Sequence, residues 1–192
     1  MITLPQGKKL INLARESISS AFLGKEPRPA GLDDTLGVFV TLNKHGELRG
    51  CIGFPEGVFP LSDGVIKAAR AAAFEDPRFM PVSKDELKDI SIEVSVLSKP
   101  MKMDAKKETD YLKEIRVGRD GLIVRGKYDS GLLLPQVAVE YKWDCKTFLE
   151  QTCVKAGLPC DYWKDLLNCV IYKCSGQVFS EASPKGEVKR LM

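Results

Sequence analysis

Two strand signals, Val38-Phe39-Val40-Thr41-Leu42 and Glu47 to Gly53, are separated only by Asn43-Lys44-His45-Gly46, and this short connection restricts the fold more than any other feature. Both runs have the β-branched or alternating character of strands. The turn residues between them predict a hairpin, so the two strands must run antiparallel. Ser91-Ile92-Glu93-Val94-Ser95-Val96-Leu97 adds a third strand, with Ile92, Val94 and Val96 on one face and Ser91, Glu93 and Ser95 on the other. Antiparallel sheets tolerate such two-faced strands.

Helical spacing fills the gaps. Leu10, Ile11, Ala14, Ile18 and Ala21 recur on one helical face between Pro5 and Leu23, with Gly24 as a stop. A second helix runs from Ser62 to Phe74 with a face of small residues, Val65, Ala69, Ala72 and Ala73, and cannot pass Asp76 because Pro77 follows. Ser83 and Glu86 form a capping box for a short helix. Asp120-Gly121 and Asp129-Ser130-Gly131 punctuate strands near Leu122 to Val124 and Leu132 to Leu134, and Pro135 opens a helix at its first position. Asp144 caps a further helix that buries Phe148, Leu149, Thr152, Cys153 and Ala156 and stops at Gly157. A last strand lies near Cys169 to Phe179, and the tail from Glu181 is polar enough to fray. Strands linked by hairpins, with helices between groups of them, predict an α+β fold with a mainly antiparallel sheet flanked by helices.

A chain of 192 residues with 44% hydrophobic content can bury a real core. The N-terminus Met1-Ile2-Thr3-Leu4-Pro5-Gln6 has no basic-then-apolar export signal and no run is long enough to span a membrane, so a soluble, cytoplasmic protein is expected. Six cysteines in that setting read as free thiols. They form no Cys-x-x-Cys pair and there is one histidine, so no metal site is expected. The 29 basic and 26 acidic residues interleave, which gives nucleic-acid binding little support.

The most chemically suggestive segment is Leu48-Arg49-Gly50-Cys51-Ile52-Gly53. Strand alternation puts Glu47, Arg49, Cys51 and Gly53 on one face, so a guanidinium beside the Cys51 thiol would favour the thiolate. Gly50 and Gly53 strip away bulk where a ligand or another backbone must approach, and a helix packed on the strand would use them equally well. His45, in the turn, lies roughly 13 Å from Cys51 and is excluded as its base. Glu93, on the polar face of its strand, is the candidate proton acceptor. Asp76 and Arg78 in Asp76-Pro77-Arg78-Phe79 either bind a polar ligand or pair with each other. Gln136 stands in a helix first turn, where backbone N–H groups attract anions and capping is an equal use.

These residues together closely resemble the AMMECR-type domain family, named after a chromosomal region linked to a syndrome with elliptocytosis, whose hallmark is the hexapeptide at Leu48 to Gly53. The resemblance extends through Ala72-Ala73-Phe74-Glu75-Asp76-Pro77-Arg78-Phe79, Asp120-Gly121-Leu122 and Gly131 to Val137 and covers nearly the whole chain. It implies a single AMMECR-type domain over residues 1–192, divided into a larger unit of N- and C-terminal segments and a smaller one near residues 44–84, with a groove at the hexapeptide. Arg49, Gly50, Cys51, Gly53, Asp76, Arg78, Glu93 and Gln136 fall on positions of the family's blocks. Many members carry glycine before Trp143 where this chain has Lys142. As partners the resemblance implies Memo-type and radical-SAM pathway proteins; it names no cofactor and no reaction. Two functions follow. One is a small-ligand-binding protein or enzyme with Cys51 as thiolate, Glu93 as proton acceptor and Arg49 as anion clamp; the other is a non-enzymatic module that docks a partner protein or RNA.

Overall fold

A computed structural model describes residues 1–191. It has the expected α+β fold, with five α-helices and eight strands whose pairings are antiparallel. None of the described helices is long and apolar enough to cross a membrane. Contacts divide the chain into two compact units, residues 1–97 with 177–191, and Ser98–Gly176. Residues 44–84, expected to form the smaller unit, lie within the first of these.

In the first unit, α1 (Leu4–Ala21) begins at a capping box in which Thr3 and Gln6 bond reciprocally. The hairpin then forms from β1 (Gly37–Lys44) and β2 (Glu47–Phe54). His45 (φ 53) and Gly46 (φ 84) both take left-handed conformations at its tip, which marks a type I′ turn whose twist suits the strands it joins. Helix α2 (Leu61–Phe74) follows, and β3 (Ile90–Leu97) returns antiparallel to β1 to give the order β2-β1-β3.

Alternation decides which face of this sheet is dry. Val38, Val40, Leu42, Ile92, Val94 and Val96 all point to one side and join Leu10, Ile11, Ala14 and Ile18 of α1 and Val65, Ala68, Ala69 and Ala72 of α2 in one buried cluster. The small face of α2 lets the helix sit close: a Cβ added at Gly50 would lie 2.2 Å from the carbonyl oxygen of Ala72. The opposite face carries Phe39, Thr41, Cys51, Gly53, Glu93 and Ser95.

One detail departs from expectation. Val188–Arg190 forms β8 against Phe179–Glu181 of β7 (Val170–Glu181), so the tail does not fray. Its apolar Val188 is buried in the main cluster, and the Glu181 carboxylate is buried with the Arg15 guanidinium bonded to it. Burial of Val188 and pairing along β7 hold the segment in place despite its polar composition.

The second unit is built on β4 (Met101–Lys102), α3 (Glu108–Glu114), β5 (Asp120–Arg125), β6 (Ser130–Leu133), α4 (Pro135–Glu140), α5 (Cys145–Lys155) and the first half of β7. β4 and α3 are too short and polar to have shown as periodic segments. Its core holds Leu122, Val124, Phe148, Leu149, Trp163 and Ile171. Cys153 and Cys169 lie in that core, and burial pushes their thiols up to about 11 and about 12. All six cysteines are unpaired. Lys142, where the family pattern favours glycine, takes the left-handed conformation itself (φ 54), so the turn into Trp143 is as sharp as a glycine would make it, at a cost of about 1 kcal/mol.

Candidate functional site

Cys51 stands midway along β2, the outermost strand of the first unit, and is half-buried. Its cross-strand partner is Thr41, whose own partner on β3 is Glu93, so Cys51, Thr41 and Glu93 form one row across three strands. Thr41 Oγ1 donates to Cys51 Sγ at 3.2 Å. Glu93 is two strand spacings from Cys51, roughly 10 Å between Cα atoms.

The free edge of β2 is closed at Cys51 by two side chains acting as a neighbouring strand would. Asp76 Oδ2 accepts the Cys51 N–H at 2.9 Å, and Arg78 Nη2 donates to the Cys51 carbonyl at 3.2 Å. The two are also locked to each other: Arg78 Nε and Nη2 donate to Oδ1 at 2.9 Å and Oδ2 at 2.7 Å. Of the alternatives for Asp76 and Arg78, pairing is therefore realised, and it includes Cys51. Asp76 is buried, with 2% of its side chain exposed against 53% for Arg78. The Arg78 guanidinium holds the Asp76 carboxyl far below the usual carboxylate range, aided by the Cys51 and Arg78 N–H groups. Asp76 is consequently ionised at neutral pH and a poor proton acceptor. Asp76 in turn raises the Arg78 pKa, with a smaller contribution from the nearby Cys51.

Arg49 behaves differently from the expectation that simple alternation makes it a neighbour of the thiol. The β1–β2 register shifts between Leu42 and Asn43, and Arg49 is the residue of β2 left without a partner there. A bulge of this kind re-aims a side chain. Arg49 Nε and Nη2 donate to Glu86 at 2.8 and 3.1 Å, and Nη2 also donates to the Met80 carbonyl at 2.8 Å. Phe79 lies within cation–π range of both arginines, 5.8 Å from Arg49 and 5.4 Å from Arg78. The guanidinium that reaches Cys51 is thus the one on Arg78.

Glu86 does more than cap. The box with Ser83 forms, with bonds of 3.3 and 3.4 Å, but its carboxylate also receives Lys44 at 3.0 Å as well as Arg49. Arg49 above all, then Lys44, lowers its pKa from 4.5 to about 2, against the opposing effect of burial. A carboxylate whose folded pKa is depressed stabilises the fold above its unfolded pKa, and that contribution disappears as pH falls from about 4.5 toward 2. Glu86→Gln should therefore cost about 2 kcal/mol at neutral pH and almost nothing near the acid end of that window. Urea unfolding of both proteins at several pH values measures this, and a pH-independent difference would show that the ion pairs contribute no charge-dependent stability.

Gly53 has a packing reason, like Gly50: a Cβ there would meet the Val38 carbonyl oxygen at 2.3 Å and the Phe39 ring. Gln136 lies in the first turn of α4, in the second unit, whereas the other seven candidates lie in the first. Thr41, Phe79 and Glu86 were not among the candidates. Hairpin pairing pointed toward Thr41, but the bulge at Arg49 decides that it faces Cys51. Among the described residues no group of three or more His, Cys, Asp or Glu side chains could hold a metal ion.

Comparison with known proteins rests on this same frame, since the model of the AMMECR1 family matches residues 11–177, from α1 to the second half of β7. The chain belongs to the AMMECR1 family. A protein of Thermococcus onnurineus is 47% identical over 195 residues, covering 96% of this chain and 94% of its own. A Methanothermobacter thermautotrophicus protein is 48% identical over 182 residues, covering 92% and 94%. The crystal structure of an uncharacterised protein from Pyrococcus horikoshii is similar at a TM-score of 0.91 and 44% identity, covering 98% of both chains. Both units of this AMMECR1 fold therefore have their counterpart in that crystal structure. The names of these relatives state no reaction.

Proposed function

We propose that the chain binds a small anionic molecule over the polar face of β1–β3 and uses the Cys51 thiol on it, as a ligand-binding protein or a thiol-dependent enzyme. The observation that carries this reading is the convergence at one half-buried cysteine of the Thr41 hydroxyl, 3.2 Å from the sulfur, and a guanidinium fixed in place by a buried carboxylate. Arg78 is the anion clamp. Its Nε and Nη2 are held by Asp76, which leaves Nη1 on a half-exposed side chain for a ligand. Cys51 is the nucleophile, in a setting quite unlike the apolar surroundings of Cys153 and Cys169. Glu93 is the proton acceptor on the same row, and the Thr41 hydroxyl, which donates to the sulfur, stabilises the thiolate once its proton has left.

Alkylation with a charged and a neutral reagent tests this directly. Iodoacetate should modify Cys51 in preference to iodoacetamide when each rate is normalised to that at the exposed Cys160, and Arg78→Ala should reduce the preference about tenfold. Thr41→Val should slow both reagents. If Cys51 shows no preference for the anion, or keeps it without Arg78, the ligand reading fails.

A further inference from the structure

The 26 acidic and 29 basic residues of the chain nearly balance, and several cations of the first unit have a carboxylate partner: Glu181 for Arg15, Glu86 for Lys44 and Arg49, Glu26 for Arg70. One groove gathers three lysines with no carboxylate in its lining. It has a volume of about 340 Å³ and draws its walls from three segments distant in sequence: the end of α1 at Ser19 and Phe22, the stretch before β3 at Lys84, Leu87 and Lys88, and Lys185 in the turn between β7 and β8. Phe22 and Leu87 make it largely apolar. Arg15 also lines it, but four of its five N–H groups are already donated to Glu181 and to the carbonyls of Leu87 and Ile90, and its charge is matched by Glu181.

Lys84, Lys88 and Lys185 are exposed, and none has a carboxylate within ion-pair distance among the described residues. No acidic side chain lines the groove. Three ammonium groups without carboxylate partners line apolar walls, a combination that suits a molecule with an anionic head and an apolar body able to bury its hydrocarbon.

The geometry points to this groove as a second binding site, for a small amphipathic anion such as an aliphatic carboxylate or alkyl phosphate, its head among Lys84, Lys88 and Lys185 and its chain against Phe22 and Leu87. A volume of about 340 Å³ is at the lower end of the range for small-molecule sites, roughly 300–1,000 Å³, so it suits one aliphatic chain rather than an extended peptide. The site shares no residue with Cys51, Thr41, Asp76 or Arg78, and does not depend on their role.

The test is titration of the full chain with decanoate and with decyl phosphate, followed by calorimetry and by backbone amide shifts in NMR. One molecule should bind per chain, with shifts centred on Phe22 and Leu87, and decanol should bind at least about tenfold more weakly. The double variant Lys88→Gln with Lys185→Gly should weaken decanoate about tenfold while leaving decanol binding and the thermal midpoint unchanged. Glycine at 185 keeps the turn, because that residue is left-handed (φ 59). Equal binding of decanol and decanoate, shifts centred elsewhere, no saturable binding, tighter capture of an acidic peptide in the groove, or dimerisation in place of ligand uptake would each overturn the assignment.

Discussion

Gly50→Ala should lower the free energy of unfolding by about 3 kcal/mol, the upper part of the range for overpacking a well-filled core. The added methyl group would stand 2.2 Å from the Ala72 carbonyl oxygen and 3.1 Å from its carbon, and neither is a flexible side-chain end that can turn away. Relief requires α2 or β2 to move, and both are anchored: Ala68, Ala69 and Ala72 are buried against the sheet, and β2 is paired along β1. Cys51→Ala, one residue further along the same strand, should cost about 1 kcal/mol or less, because Cys51 is half-buried on the other face. Denaturant unfolding of the two variants side by side makes the measurement. A loss below about 1 kcal/mol at Gly50 would mean that α2 can shift outward without penalty.

Asp76→Ala carries the second large effect, a loss of about 2–3 kcal/mol at neutral pH. The substitution removes the acceptor for the Cys51 N–H and the two bonds that hold Arg78. Breaking a fully buried pair costs more than this, but half of the Arg78 side chain is exposed and regains water. Because the Asp76 carboxyl is held far below its ordinary value, its contribution is complete above about pH 4 and falls away only in stronger acid. Asp76→Ala should also sharply reduce the anion preference in alkylation of Cys51, although Arg78 is still present, since only its bond to the Cys51 carbonyl and the Phe79 ring then keep the guanidinium at the strand edge. Stability and labelling measured on one variant separate the two roles. A variant that unfolds more easily yet keeps its preference for iodoacetate would confine Asp76 to the fold.

Much of this architecture was legible in the residues. Alternation in Ser91 to Leu97 identified the dry face of β3, and Ile92, Val94 and Val96 are indeed in the core while Glu93 is not. Asn43-Lys44-His45-Gly46 marked the hairpin by its turn chemistry, and the small residues of α2 announced close packing that the glycine at 50 completes against the sheet. These features are local: each depends on side-chain period or backbone preference over a few residues.

The site was legible only as a neighbourhood. A β-bulge inserts one residue with no signature in the pattern of apolar and polar side chains, and the one at Arg49 takes that guanidinium out of the row while bringing Thr41 opposite Cys51. Which cation meets which carboxylate depends on how segments some 25 to 40 positions apart come together, as with Asp76 at Cys51 and Glu86 at Arg49. The sequence by itself determined the antiparallel class, the hairpin and the buried faces, because short-range sterics and the hydrophobic period act without knowledge of the rest of the chain. Only the tertiary structure decided that Arg78 rather than Arg49 bonds to Cys51, at its backbone carbonyl, because charge pairing is settled by distance in space, and a shift of one residue in register is enough to exchange one partner for another.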